Sequence, residues 1–501
     1  MKVGFGVAVA FGVIAAGLLC GCKPRSAAAR TAKAERHLQA LREEPGYTQC
    51  LTQSDPVDSH WPRAMVEAFC LDQFTPALTL ADARRLLDAG QGTQLDAEFD
   101  GIVDDYLAGR LPEGSELRAY GIFASADEQT SALIDRWLVQ SPHSAHALTA
   151  RGLYRVERGA DARGGKLFKN TAPDRIADML RWFRLAQPDL EKALSEDPRI
   201  LAASASLLEL ATLTSDRVVA KQALEAGLKV DPGNFYIRAG YMEFMEPRWS
   251  GTFEAMDRVA SDAEPWFGGN PRLACLRAMA LVERSSPFLH DQKFEDALRA
   301  YERGLALCPI PHDFEFAGRL AMKLQRDEHA VEMFSQALRF DPELKDARVN
   351  RARGYRSLHQ YAAAQADLDR QLEQTPDDAY VLGEYALLLI EQKDFQGAAA
   401  RLTRAHQSDP RDLWITGKLA STFIYDLHHP KEAEALVAQL LEKDPRSGAA
   451  WLMRADLLDG LGQPGLREAA ENFVRYADSA DGWQRSALPR IEAWLAAHPS
   501  G

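Results

Sequence analysis

Residues 311–342 read PHDFEFAGRLAMKLQRDEHAVEMFSQALRFDP. Large residues stand at Phe314 and Phe334, small ones at Gly318, Ala330 and Ala337, and the stretch closes on Asp341-Pro342. Small residues let two helices approach closely, and large ones fill the space to a neighbour. Proline cannot continue a helix and fixes its own φ, so Pro342 marks the start of a new element. Two helices of about 12–14 residues fit in such a stretch.

The punctuation recurs. Asp-Pro stands at 197–198, 231–232, 341–342, 409–410 and 444–445, and Thr375-Pro376 takes its place once. From Pro342 onward the spacings are 34, 34 and 35, and Cys308-Pro309 lies 33 residues before Pro342. A fixed period between about 20 and 50 residues marks a solenoid. The residues between the prolines repeat as well. One stretch carries Tyr355, Tyr361, Ala364 and Leu368, and the next Leu382, Ala386, Phe395, Ala398, Leu402 and Ala405. Then come Ala433, Leu436 and Leu440, with one extra residue near His428-His429-Pro430; Trp451 opens a weaker unit, and Phe294, Ala297 and Tyr301 form half of an earlier one.

This pattern resembles tetratricopeptide repeats over about 270–480. The resemblance implies an all-α fold, a tetratricopeptide-like helical-hairpin solenoid wound into a superhelix. No single hairpin buries its apolar face, so stability comes from stacking. It also implies a concave groove lined by the first helix of each pair. In that register Arg319, Lys323, Asn350, Arg353 and Arg356 face the groove. Arginine and asparagine together can clamp a carboxylate or an acidic segment. The competing reading is a set of ion pairs within the chain, to Glu315, Asp327, Glu328 or Asp346.

With 501 residues the chain is too long for one core and must divide or grow as an array. Its 59 basic and 72 acidic residues leave a formal charge of −13, which argues against a nucleic-acid partner. The first residues have the form of an export signal: Met1-Lys2, then Val3 to Leu19 without a charge. Leu19-Cys20-Gly21-Cys22 resembles a bacterial lipobox, which implies cleavage before Cys22 and acylation of that residue. Lys23 after the cysteine implies outer-membrane sorting. An uncleaved anchor and a plain secretory signal are the alternatives.

Four further cysteines remain. Past the inner membrane, disulfides persist. Cys50 and Cys70 flank a turn-rich stretch, and a bridge between them would contribute about 3 kcal/mol on the chain-entropy model. Cys275 and Cys308 lie one repeat apart. All four read equally well as ordinary buried thiols. No cysteine spacing suits structural zinc, and the close histidine pairs His143/His146 and His428-His429 are poor metal ligands by position. No metal or cofactor is expected.

The middle of the chain is helical by its three-four spacing, as in Leu190, Ala193 and Leu194. Ser115-Glu116-Leu117-Arg118-Ala119-Tyr120 and Pro247-Arg248-Trp249-Ser250-Gly251-Thr252-Phe253-Glu254-Ala255-Met256 resemble a bacterial family catalogued as domain of unknown function 4034, over about 80–285. That family has no assigned reaction and implies no catalytic residue. Arg248 and Trp249 suit either a ligand anchor or a loop plug with internal bonds. Gly164-Gly165-Lys166 lacks the spacing of a phosphate loop, since Leu167 follows the lysine. No hydrolase, zinc-protease or nucleotide motif occurs, and no enzyme is expected.

The expected organisation is a signal at 1–21, a tether at 22–44, an N-terminal helical region at 45–130 and an uncharacterised tetratricopeptide-like domain at 131–285. Tetratricopeptide repeats follow at 286–480, and a capping helix at 481–501. The expected role is a lipid-anchored scaffold in the bacterial envelope, facing the periplasm, that binds a protein or peptide in its groove. A structural subunit of an envelope machine, or a cell-wall-acting enzyme or its activator, are the alternatives.

Overall fold

The computed structural model describes Gln39 and residues 42–74, 78–165, 170–249 and 251–498. The expected signal, the acylation site Cys22 and most of the tether lie outside the described residues, as do Lys166 and Ser250. Every regular element among the described residues is helical, and none is long and apolar enough to cross a membrane. The fold is all-α, as the repeat period predicts.

The chain forms two compact units. It opens with α1 (Pro45–Thr52) and α2 (Arg63–Phe74). It continues with α3 (Leu80–Asp88), α4 (Gly92–Leu107), α5 (Ser115–Gly121), α6 (Glu128–Gln140), α7 (Ala145–Arg163), α8 (Pro173–Glu196), α9 (Leu201–Thr214), α10 (Arg217–Val230) and α11 (Phe235–Phe244). Residues 74–237 make up the body of the first unit. Residues 49–73 belong instead with 238–501, so the chain enters the second unit, leaves it and returns.

The core of the first unit includes an aromatic cluster. Phe99 of α4 stacks on His146 of α7, with ring centroids 5.6 Å apart, and lies 4.7 Å from Tyr120 and 5.4 Å from Trp137. Helices α7 and α8 form the longest hairpin, and Asp189 within it accepts a two-point bond from Arg151, 2.7 Å on each arm. Helix α9 has no side-chain cap of its own at Ile200. The buried Glu116 of α5 serves instead, its Oε1 accepting from the Ala202 N–H at 2.9 Å. Burial pushes this carboxyl up to about 8, against the pull of the backbone bonds.

The second unit adds α12 (Phe253–Asp262), α13 (Cys275–Glu283), α14 (Ser286–His290), α15 (Phe294–Leu305), α16 (Pro311–Lys323), α17 (Asp327–Phe340), α18 (Lys345–Ser357), α19 (Tyr361–Gln374), α20 (Ala379–Glu391), α21 (Phe395–Ser408) and α22 (Leu413–Ser421). A π-helical turn at Thr422–Asp426, α23 (Pro430–Lys443), α24 (Gly448–Leu461), α25 (Leu466–Tyr476) and α26 (Gly482–Ala497) complete it. From α16 to α21 these are hairpins of 13- and 14-residue helices, each second helix packing on the first helix of the next pair. Phe314, Phe334, Ala330 and Ala337 are all buried. A Cβ at Gly318 would lie 2.6 Å from the Phe334 ring, which is why that position is glycine.

Two turns punctuate the array. Between the helices of a pair, one residue takes the left-handed conformation: Gln292, Gln325, His359, Lys393, His428 and Gly462, spaced 33, 34, 34, 35 and 34. The next N–H then reaches back five residues, as in Arg326 to Ala321, Gln360 to Tyr355 and Asp394 to Leu389, at 2.8–2.9 Å. This closure satisfies carbonyls that a helix end leaves open. After His428 the bond reaches back six, from His429 to Phe423, so the extra residue of that repeat is absorbed in the π turn upstream of the histidines. Between pairs, the aspartates of the Asp-Pro steps accept from the N–H two residues on: Asp341 from Glu343, Asp409 from Arg411, Asp444 from Arg446, at 3.0–3.1 Å. These are Asx turns that bend the chain into the next helix.

Residues 49–73 are built onto the second unit. Trp61 donates from Nε1 to the Leu305 carbonyl at 2.7 Å and meets Phe314 and Phe340 edge-on. Arg339, with a side chain 1% exposed, donates from Nε to the Cys50 carbonyl at 2.7 Å and pairs with Asp55 at 2.7 Å. Arg272 lies over the Phe69 ring and pairs with Asp72 at 3.2 Å. Cys50 is bonded to Cys70, and Cys275 to Cys308.

Two outcomes follow from these turns and caps. Lys393 is exposed and left-handed, so Lys393→Gly relieves a strain of about 1–2 kcal/mol, less about 0.5–1 kcal/mol of glycine entropy. Its urea midpoint should rise. Glu116 has a folded pKa above its unfolded one, so wild-type stability falls as pH rises from the unfolded carboxylate range through about 8. Glu116→Gln keeps the acceptor and lacks that fall. Urea titrations at pH 4.5 and 9 should show the variant gaining on the wild type at the higher pH.

Candidate functional site

In the second unit the first helices of successive pairs touch one another directly, α16 with α18, α18 with α20 and α22 with α24. The residues expected to line a groove lie on two of these first helices, α16 and α18, but they are not equally grouped. Asn350, Arg353 and Arg356 come together on α18: Asn350 Oδ1 accepts from Arg353 Nη1 at 3.2 Å. Both arginines turn toward Glu384 of α20, each with a nitrogen 3.7 Å from Oε2, and Arg356 also bonds Glu391. Arg319 and Lys323 stand apart on α16. Arg319 lies 3.6 Å from Glu315, and Lys323 sits 4.3 Å above the Phe294 ring.

Glu315 and Glu384 are the less expected members. Their residues are 9% and 8% exposed, and one oxygen of each, Glu315 Oε1 and Glu384 Oε2, has no hydrogen-bond donor. Burial pushes both carboxyls up, opposed by Arg319 at Glu315 and by Arg353 and Arg356 at Glu384. Glu315 is among the ion-pair partners the sequence suggests, whereas Glu384 and Glu391 come from the following repeat. The signal for Glu384 was present: it stands 34 residues after Asn350, in the same register.

Further along, the face turns apolar. Tyr380 and Trp414, again 34 apart, are 44% and 46% exposed. The Trp414 ring fills the space where a Cβ on Gly383 would lie, 2.9 Å away, while a Cβ on Gly417 would meet nothing within 4 Å. A charged stretch on α16 and α18 therefore leads into an aromatic, glycine-floored stretch on α20 and α22.

The other sequence candidates are internally engaged. Arg248 bonds Glu246 in a tight turn at Pro247–Trp249. Gly251 packs against the Met245 carbonyl so closely that no Cβ fits. His146 is buried between Tyr120, 2.6 Å from Nδ1, and Asp100, 3.1 Å from Nε2. His428 is the left-handed turn residue of its hairpin.

A tetratricopeptide-repeat family model matches residues 389–457, the stretch from the end of α20 through α23 into α24. No curated protein matches the chain. Among solved structures, a tetratricopeptide repeat protein from Parabacteroides merdae is 16% identical and has a TM-score of 0.34, the match covering 58% of this chain and 99% of that one. YrrB, described as a TPR protein with an unusual peptide-binding site, is 18% identical over 40% of this chain and 99% of its own, with a TM-score of 0.32. Yeast Tom70 is 14% identical over 83% and 95%, with a TM-score of 0.36. Likenesses at this level say nothing about role. The family match stands by itself, and it makes residues 389–457 tetratricopeptide repeat.

Removing Arg353 and Arg356 leaves the buried Glu384 without the counter-charges beside it, which lowers stability. The double variant Arg353→Ala, Arg356→Ala should lose stability in urea, and adding Glu384→Gln should restore most of it. Tests of binding at these arginines belong in the Glu384→Gln background.

Proposed function

We propose that the face of α16, α18, α20 and α22 captures an extended segment of a partner protein, and that the chain acts as a scaffold held at the bacterial envelope by acyl chains on Cys22. The observation that carries the reading is the change of that face from exposed cations to exposed aromatics over four hairpins in one register. Exposed aromatic and arginine side chains in a row are the usual anchors of a protein interface. The tetratricopeptide match supports the same reading. The lipobox-like Leu19-Cys20-Gly21-Cys22 and the pairing of the four remaining cysteines agree with an oxidising, membrane-proximal setting facing the periplasm, with Lys23 favouring the outer membrane. The region 80–285 belongs to the same scaffold in this reading, with no reaction assigned to it.

A spacer role in a larger envelope assembly is the second reading. It is favoured by the internal pairing of Arg356 with Glu391 and of Arg353 with Glu384. One experiment separates the two. A photo-crosslinking amino acid is placed at Leu387 on the inner face, and in a second strain at Glu373, exposed on α19. Capture of a defined partner from Leu387 and not from Glu373 supports the receptor; equal capture from both supports the spacer. In the same cells Cys22→Ala should move the protein from the detergent phase to the aqueous phase, and retention in the detergent phase would remove the lipid anchor from the reading.

A further inference from the structure

On the face of α16 and α18 the cations are exposed and the carboxylates beside them are not. The side chains of Arg319 and Arg353 are 55% and 40% exposed, against 12% and 10% for Glu315 and Glu384. An approaching segment therefore meets positive charge first, in a chain whose formal charge is −13. Charge complementarity selects an acidic segment.

The internal pairs hold that charge loosely. Arg353 Nε and Arg356 Nη2 each lie 3.7 Å from Glu384 Oε2, too far for a hydrogen bond, and that oxygen has no donor. The attraction is Coulombic alone. Arg353 otherwise meets Asn350 Oδ1 at 3.2 Å and the Tyr380 hydroxyl, and Arg356 bonds Glu391. Among the described residues, no carboxylate makes a two-point bond to either arginine. Arg351 on the same helix does make one, to Asp367 at 2.8 and 2.6 Å. That fork is the strongest bond a guanidinium forms with a carboxylate, and Arg353 and Arg356 lack it.

The charged groups acting on Glu384 are these two arginines of α18; α19, α21 and α22 add none. Tyr380 of α20, on which Glu384 and Asp346 both act, and Glu391 at Arg356 are the other titratable groups of the site. Burial pushes the Glu384 carboxyl up, and only the arginines oppose it.

We propose that Glu384 is an internal stand-in for a carboxylate of the partner. An aspartate or glutamate of the bound segment takes Arg353 and Arg356 in hydrogen-bonded contact, and Glu384, its counter-charges now shared, takes up a proton from solvent. This rests on the receptor reading of the same face, to which it adds the chemistry of the partner and a pH dependence. A proton bound together with the segment makes binding tighter as pH falls, until Glu384 is already protonated in the free chain.

Fluorescence anisotropy on the full chain in detergent tests it. The probe is a labelled peptide Leu-Phe-Asp-Asp-Phe-Leu with blocked ends, and the control carries Asn-Asn in place of Asp-Asp. Saturable binding of the acidic peptide is expected, at least about tenfold tighter than of the control and at least about threefold tighter at pH 5.5 than at pH 8. Glu384→Gln, neutral throughout, should lose that slope and bind more tightly than wild type at pH 8. In this background, its fold checked by circular dichroism, adding Arg353→Ala and Arg356→Ala should cost at least about tenfold. A wild-type affinity without pH dependence, the same slope in Glu384→Gln, or unchanged affinity in the triple variant overturns the inference. Equal binding of both peptides overturns it and leaves the receptor reading standing. Binding of neither also overturns it, while capture from Leu387 decides the receptor reading by itself.

Discussion

The absence of a side chain at Gly318 is what brings the two helices of its hairpin together. The Phe334 ring occupies that space, and any Cβ would collide with it. Close approach there lets Phe314 and Phe340 turn outward to neighbouring elements, where Trp61 meets both edge-on. The same device recurs where Val282 faces Gly304 and Trp414 covers Gly383, the would-be Cβ contacts being 2.6 and 2.9 Å. An array of this kind has no central core. Each hairpin stays dry only against its neighbours.

The polar groups inside the array follow a second rule. Arg351 makes a two-point bond to Asp367 at 2.8 and 2.6 Å between α18 and α19, and Arg151 does the same with Asp189 in the first unit. Such pairs add little net stability over apolar residues of the same size, but breaking one leaves a charge stranded. Arg339 and Arg272 also use ion pairs to fasten residues 49–73, which precede the body of the first unit in the chain and belong to the second. In the proposed scaffold, the anchored end of the chain is thereby joined to the repeats themselves.

Much of this was legible in the residues. The 34-residue period, the Asp-Pro steps and the alternation of large and small side chains are local facts about chain geometry. They dictate helix ends and helix faces whatever the surroundings. That is why the hairpins at 311–342 and the all-α class follow from reading alone. The 35-residue repeat was equally visible, but a longer repeat does not say which backbone bond stretches. The helix took it up as a π turn at Thr422–Asp426, before the histidines that mark it in the sequence.

What only the tertiary structure decided is the company each polar residue keeps. Arg353 and Arg356 stand in a groove register by sequence, yet their partner Glu384 comes from another hairpin, and its burial depends on how two hairpins pack. Glu116 caps a helix 86 residues away. Periodicity governs neighbours along the chain, because backbone geometry repeats. Charge pairing and burial are set by distances in space, and no spacing rule encodes those until the helices have stacked.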